Sequence, residues 1–258
     1  MARRNRLDVE LVRRGLARSR EHAAALVADG RVEVRGLVAG KPAALVDPAD
    51  PVRVVDSGPD YVSRGGHKLA GALDAFTGLK VAGRRCLDAG ASTGGFTDVL
   101  LRAGAAEVVA VDVGYGQLAW SLRTDERVRV CDRQNVRVLT PDVIGGPADL
   151  TVADLSFISL TLVLPALAGC TTTDLVPMVK PQFEVGRERV GTGGVVRDPG
   201  LWAEAVTDVA TSAAGLGFGV AGITRSALPG PAGNVEFFLW LRRDAGPLDR
   251  SALEAVTA

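Results

Sequence analysis

Residues 86–97 restrict this chain more than any other stretch: Cys86-Leu87-Asp88-Ala89-Gly90-Ala91-Ser92-Thr93-Gly94-Gly95-Phe96-Thr97. An apolar run ends in an acid, turns through small residues, and re-enters a helical pattern at Val99, Leu100 and Leu101. That is the strand, loop and helix start of an α/β ligand site, where the backbone must approach a ligand closely and glycine avoids a Cβ clash. The spacing is G-x-x-x-G-G, so the dinucleotide fingerprint G-x-G-x-x-G is absent. Asp88 would repel a pyrophosphate at the helix N-terminus. It suits a ligand carrying an ammonium and a sulfonium, which describes S-adenosylmethionine. The residues expected around that ligand are Asp88, Gly90, Ser92, Thr93, Gly94, Gly95 and Phe96. The bland alternative is a tight strand-to-helix turn that binds nothing.

Apolar runs ending in a charged residue recur downstream. Glu107 to Val113 passes through Asp112, Val128 to Val130 runs into Asp132, Asp149 to Ala153 into Asp154, and Thr173 to Val179 into Lys180. Phe218 to Ile223 and Val235 to Leu241 complete the series. Short, nearly continuous apolar strands separated by helical patterns imply a mostly parallel sheet covered on both faces, with ligands outside the carboxyl ends of the strands. Asp112, about two dozen residues after Asp88, is placed to take the hydroxyls of a ribose, and Asp132 an adenine amino group; a helix cap and a turn acid are the structural alternatives. Lys180 is carried to the ligand edge by an apolar strand that Pro181 then stops. Lysine is rarely set against an apolar wall unless paired or working, and desolvation favours its neutral, basic form. Glu236 stands among large apolar residues in a strand whose alternation could also face it to water.

The first sixty residues read differently. Leu7 and Leu11 share one helical face, Ser19 can cap a second helix reaching Gly30, and Val32–Val34 and Val52–Val55 read as short strands. Residues 1–35 hold nine arginines against five acids, although the whole chain balances 30 basic against 30 acidic residues. Arg3, Arg4, Arg6, Arg13, Arg14, Arg18 and Arg20 fall on or beside the helix pair. Clustered guanidiniums favour phosphate; a solvated helix face is the alternative. The segment R-L-D-V-E-L-V-R-R-G-L-A-R-S-R…D-G-R-V-E-V-R-G resembles an S4 domain. That resemblance implies a grip on structured RNA through backbone and shape.

A second resemblance joins the scattered residues. Lys68 in S-R-G-G-H-K-L, Asp154 in V-A-D-L-S-F-I-S-L, Lys180 in V-K-P-Q-F-E-V-G and Glu236 in N-V-E-F-F-L-W-L follow the K-D-K-E order of FtsJ-like ribose 2′-O-methyltransferases. With the S4-like segment ahead, the chain is similar to the TlyA family of ribosomal RNA cytidine 2′-O-methyltransferases, also known as haemolysins. The resemblance implies a Rossmann-like, S-adenosylmethionine-dependent methyltransferase domain with a seven-stranded, mostly parallel sheet, preceded by a small α+β RNA-binding domain. It also implies 16S or 23S rRNA as substrate, ribosomal subunits as partners, and Lys68, Asp154, Lys180 and Glu236 as the catalytic set. Where the family carries an arginine and a tryptophan before V-S-R-G, this chain has Pro59 and Tyr61, and Tyr61 can still stack.

The expected domains are residues 1–58, a linker at 59–66 opened by the turn-forming 56–60, a catalytic domain at 67–245 and a tail at 246–258. Arg64, and Arg187 and Arg189 in the glycine-rich basic loop 186–194, join Arg4, Arg6, Arg18 and Arg20 as RNA-binding candidates, the loop as a flap. The basic start lacks the apolar core of a secretory signal, and Leu160 to Ala168, holding Pro165, is too short to span a bilayer and reads as a buried helix. Cys86, Cys131 and Cys170 form no pairing pattern, which implies reduced thiols and a cytoplasmic location. Two histidines and dispersed cysteines argue against a metal site. Three competing readings are disfavoured: an NAD-dependent oxidoreductase lacks its G-x-G-x-x-G, a non-catalytic RNA-binding or ribosome-assembly factor does not need the four K-D-K-E positions, and a membrane-active protein lacks a spanning or strongly amphipathic segment.

Overall fold

The computed structural model describes residues 4–28, 30–55 and 61–258, so the turn-rich boundary at 56–60, with Pro59, lies outside the described residues. Two compact units part between Asp60 and Tyr61. In chain order the first holds β1 (Asn5–Arg6), α1 (Leu7–Arg13), α2 (Arg20–Ala28), β2 (Val32–Val34), β3 (Leu37–Val38), β4 (Leu45–Val46) and β5 (Val52–Val54). The Ser19 hydroxyl accepts from the His22 amide at 3.1 Å, capping α2. Leu7 and Leu11 of α1 meet Ala23, Leu26 and Val27 of α2 over Val32 and Val46, a small core of its own.

The second unit contains α3 (Arg64–Ala75), β6 (Arg85–Ala89), α4 (Gly95–Arg102), β7 (Glu107–Val111), α5 (Trp120–Arg123), β8 (Val128–Cys131), α6 (Pro141–Ile144) and β9 (Ala148–Ala153). It continues with α7 (Leu160–Gly169), β10 (Thr171–Val179), α8 (Pro181–Glu184), α9 (Pro199–Ala214), β11 (Gly219–Arg225), β12 (Phe237–Arg242) and α10 (Arg250–Thr257). Seven strands form one sheet in the order β11-β12-β10-β9-β6-β7-β8. Only the pairings of β12 are antiparallel.

Strand alternation explains why both faces are dry. Cys86, Val108, Ala110, Leu150 and Val152 turn to the face covered by Leu69 of α3 and Phe96 and Leu100 of α4. Their neighbours Leu87, Ala89, Val109 and Val111 turn to the face covered by Leu164 of α7, Val206 of α9 and Leu253 of α10. Each fully buried leucine here contributes roughly 1.5–3 kcal/mol. Pro165 removes one backbone donor from α7, yet burial of Leu160, Val163, Leu164 and Leu167 along one face keeps the helix intact.

Two expectations about boundaries change. Of the expected linker, Arg64–Gly66 form the first turn of α3, and Gly66 is packed so closely on Tyr61 that a Cβ there would lie 2.5 Å from its ring. The expected tail carries α10, capped by Asp249 and anchored by Leu253, which is 9% exposed. Its Leu253 and Val256, at i and i+3, join the core cluster where α10 meets α9 and β11.

Candidate active site and nucleic-acid surface

Strand register assembles the site. Ala89 pairs with Val111 and with Ala153, and Val111 pairs with Cys131. Gly90, Asp112, Asp132 and Asp154 therefore step off the sheet along one edge, the carboxyl ends of the parallel strands. Val179 pairs with Phe237 of the antiparallel β12. That reversal brings Glu236, just ahead of β12, beside Lys180, just beyond β10. Expected within a strand, Glu236 instead precedes it and is 1% exposed.

The four residues of the expected set meet as two ion pairs. Lys180 Nζ lies 2.6 Å from Asp154 Oδ1 and donates to Ser156 Oγ at 3.1 Å. Lys68, from α3, donates to Glu236 Oε2, and both side chains are buried. A buried ion needs a partner to offset its desolvation, and each of these has one. The other Glu236 oxygen lies over Gly230, where a Cβ would come within 2.8 Å of it. Ser156 and Gly230 were not among the expected residues; only the tertiary fold brings them here.

Beside Asp154 a cavity of about 120 Å³ is lined by Gly90, Ser92, Thr93, Gly95 and Phe96, with Ser63 and Gly65 from the start of α3. Gly90 has φ +88°, and a Cβ on it would stand 2.5 Å from the Asp154 carbonyl oxygen, so glycine alone permits this approach. Gly94 has φ +99° at the turn into α4, and a Cβ on it would meet Leu122 and Leu118.

Asp88 lies fully buried beneath the loop. Its Oδ2 accepts from the Thr97 hydroxyl at 2.7 Å, while Oδ1 has no hydrogen-bond partner. Burial is the main cause that pushes this carboxyl up to about 7, against the Thr97 hydrogen bond and reinforced by Asp154. An orphaned carboxylate oxygen under a glycine loop is a fit for the ammonium of S-adenosylmethionine. Asp112 accepts from the amides of Ser92 (2.8 Å) and Gly114 (2.7 Å), so it shapes the loop as well as facing the edge. Asp132 accepts from the Gly116 amide at 3.2 Å and pairs with Arg123 at 3.3 Å.

The arginines divide. Arg6 and Arg20 both reach Asp8 at 3.0 Å, and Arg13 and Arg14 both reach the buried Glu10. These guanidiniums hold the Asp8 carboxyl down to about 2 and Glu10 well below the usual carboxylate range. Much of the charge counted as phosphate-binding is thus also structural, although Arg6 and Arg20 keep 47% and 61% of their side chains exposed. Arg4 is exposed. Arg18 lies just before α2, its amide donating to His22 Nδ1 at 3.2 Å. Arg64 donates to the Pro229 carbonyl at 3.1 Å. In the basic loop, Arg189 pairs with Glu204 at 2.6 Å and donates to the Val185 carbonyl, while both it and Arg187 are exposed. Buried Asn234, not among the expected residues, ties this loop to the Glu236 segment. It donates to the Gly194 carbonyl at 2.8 Å and accepts from the Val196 amide at 2.9 Å.

Among the described residues no helix is long and apolar enough to cross a membrane. The three cysteines are free, and burial pushes Cys86 up to about 12.

Comparison with known proteins agrees with this architecture. A family profile for FtsJ-like methyltransferases matches residues 61–243, and one for the S4 domain matches residues 5–52. The 16S/23S rRNA (cytidine-2′-O)-methyltransferase TlyA of Mycobacterium tuberculosis is 64% identical over 94% of this chain and 91% of its own length. Hemolysin A of Brachyspira hyodysenteriae is 36% identical over 90% of this chain and 97% of its own. A solved structure named for a hemolysin, from Streptococcus thermophilus, superposes with a TM-score of 0.77 at 39% identity, covering 100% of this chain and 95% of that one. The chain therefore belongs to the FtsJ-like, S-adenosylmethionine-dependent methyltransferases, carries an S4 domain ahead of the catalytic fold, and falls among the TlyA proteins.

Proposed function

We propose that this protein methylates the ribose 2′-oxygen of cytidine in ribosomal RNA, 16S, 23S or both, within ribosomal subunits in the cytoplasm. The observation that carries the reading is the pairing of two lysines with two carboxylates at the sheet edge that also holds the glycine-loop cavity. S-adenosylmethionine supplies an electrophilic methyl group when bound. A free ribose hydroxyl is a poor nucleophile at neutral pH, so a base must remove its proton. Lys180 takes that role through its neutral amine, which Asp154, 2.6 Å away, orients. Lys68, held by Glu236, favours negative charge as it grows on the oxygen. Asp88 Oδ1 would hold the cofactor's ammonium, and Asp112, just past the end of β7, would hold its ribose. The S4 unit, with Arg4, Arg6, Arg18 and Arg20, and the catalytic unit's Arg64, Arg187 and Arg189 hold RNA phosphates. Positioning both substrates supplies as much as roughly 7–11 kcal/mol of barrier reduction, more than the ~10²–10⁴-fold expected of the base.

The test is methyl transfer to isolated 30S and 50S subunits, with new 2′-O-methyls mapped on the rRNA. Lys180→Ala should lower the rate at least a hundredfold while cofactor affinity stays within about threefold. Turnover above a tenth of the unsubstituted enzyme would remove Lys180 from the base role.

A further inference from the structure

A second cavity, of about 500 Å³, opens beside the end of β10. Gln182, Phe183 and Arg187 line it from the segment that follows Lys180, and Phe157 and Ile158 from the segment that follows Asp154. Its place is therefore fixed by both halves of the Lys180–Asp154 pair. Glu184 locks the two segments together, accepting from the Ser159 hydroxyl at 2.6 Å and the Leu160 amide at 2.9 Å. One wall is aromatic, with the rings of Phe157 and Phe183 centred 5.3 Å apart at 50°. In the same lining the Gln182 Oε1 is enclosed and has no hydrogen-bond partner. Enclosed acceptors without a donor are rare in folded proteins, and the Gln182 side chain, only partly buried, can turn this one toward a ligand in the cavity that brings the donor.

We propose that Gln182 selects the base of the nucleotide whose ribose lies at Lys180, its Oε1 accepting from an exocyclic amino group. The inference rests on the RNA ribose methyltransferase reading and adds the group that chooses among bases. Aromatic rings stack on any base, so the Phe157–Phe183 wall cannot discriminate. A lone acceptor can. Cytosine offers an N4 amino donor where uracil offers the O4 acceptor, and two facing oxygens leave both unpaired. A site built around one hydrogen bond rejects the analogue lacking it far better than an apolar pocket rejects a change of shape.

The experiment uses the full chain and subunits reconstituted with transcribed rRNA carrying cytidine or uridine at the mapped position. The unsubstituted enzyme should methylate cytidine at least tenfold faster than uridine. Gln182→Leu and Gln182→Met, which fill the space without an acceptor, should bring the two rates within about threefold. Gln182→Glu, which keeps an acceptor oxygen, should retain the preference. The inference is overturned if either apolar variant, folded by its melting temperature and normal in cofactor affinity, keeps the original ratio. It is equally overturned if the unsubstituted enzyme shows no preference. Failure of transfer to both RNAs by the unsubstituted enzyme would instead sink the parent reading, and this one with it.

Discussion

Asp88 offers a quantitative test of the site before any RNA is added. Its carboxyl ionises near the ordinary 3.8 in the unfolded chain and only at about 7 when buried. Between those values the unfolded chain gives up a proton that the folded chain keeps. Raising the pH therefore draws the equilibrium toward unfolding, and the stability lost grows from pH 4 to about 7 and then levels off. Three pH units at about 1.4 kcal/mol each make the full penalty about 4 kcal/mol, of which roughly 2–3 kcal/mol accumulates between pH 5 and pH 8. Asp88→Asn keeps the shape and an acceptor for Thr97 but cannot ionise. In the absence of cofactor the variant should match the unsubstituted protein at pH 4 and exceed it by about 4 kcal/mol at pH 8, measured by urea unfolding of the full chain at each pH. The same change removes the carboxylate offered to the ligand's ammonium, so affinity for S-adenosylmethionine by calorimetry should fall about 10–100-fold. A more stable protein that binds its cofactor worse is an unusual combination. An Asn variant with the unsubstituted pH dependence would refute the burial argument, and unchanged affinity would refute the role given to the orphaned oxygen.

Further outcomes follow from the surface and the loop. Arg187→Glu should weaken binding to ribosomal subunits and reduce the slope of log affinity against log salt by about one, read by filter binding at several salt concentrations; an unchanged slope would mean that this side chain meets no phosphate. Asn234→Ala leaves the Val196 amide and the Gly194 carbonyl without their partners. It should cost about 1–3 kcal/mol of stability by urea unfolding, with faster amide exchange in the 190–197 segment. A loss under 0.5 kcal/mol would show that the tie is dispensable.

The edge of the sheet was legible because each strand announces its own end: an apolar run followed by Asp88, Asp112, Asp132, Asp154 or Lys180 needs no tertiary information. Lys68 was different. It sits inside a helix, and nothing local marks it as buried; its place came from resemblance, and its partner Glu236 lies 168 residues away. Charge counting misjudged the front unit for a related reason. Arg6 and Arg20 look unassigned until Asp8 proves to be 4% exposed, and a composition cannot say which acids are buried. Helix α10 escaped notice because eight residues with two or three apolar anchors fall below the length at which periodicity is informative. Thr97, Ser156 and Asn234 lie within the quoted stretches, but nothing local singles them out, since their partners come from the tertiary fold.

The antiparallel β12 enters the sheet between β11 and β10, and the residue just ahead of it completes the second lysine pair. In chain order β12 is the last strand of the sheet, so it docks only after the other six have been made. Until then Lys68 lacks its Glu236 partner. The second lysine pair is thus the last part of this edge to be completed.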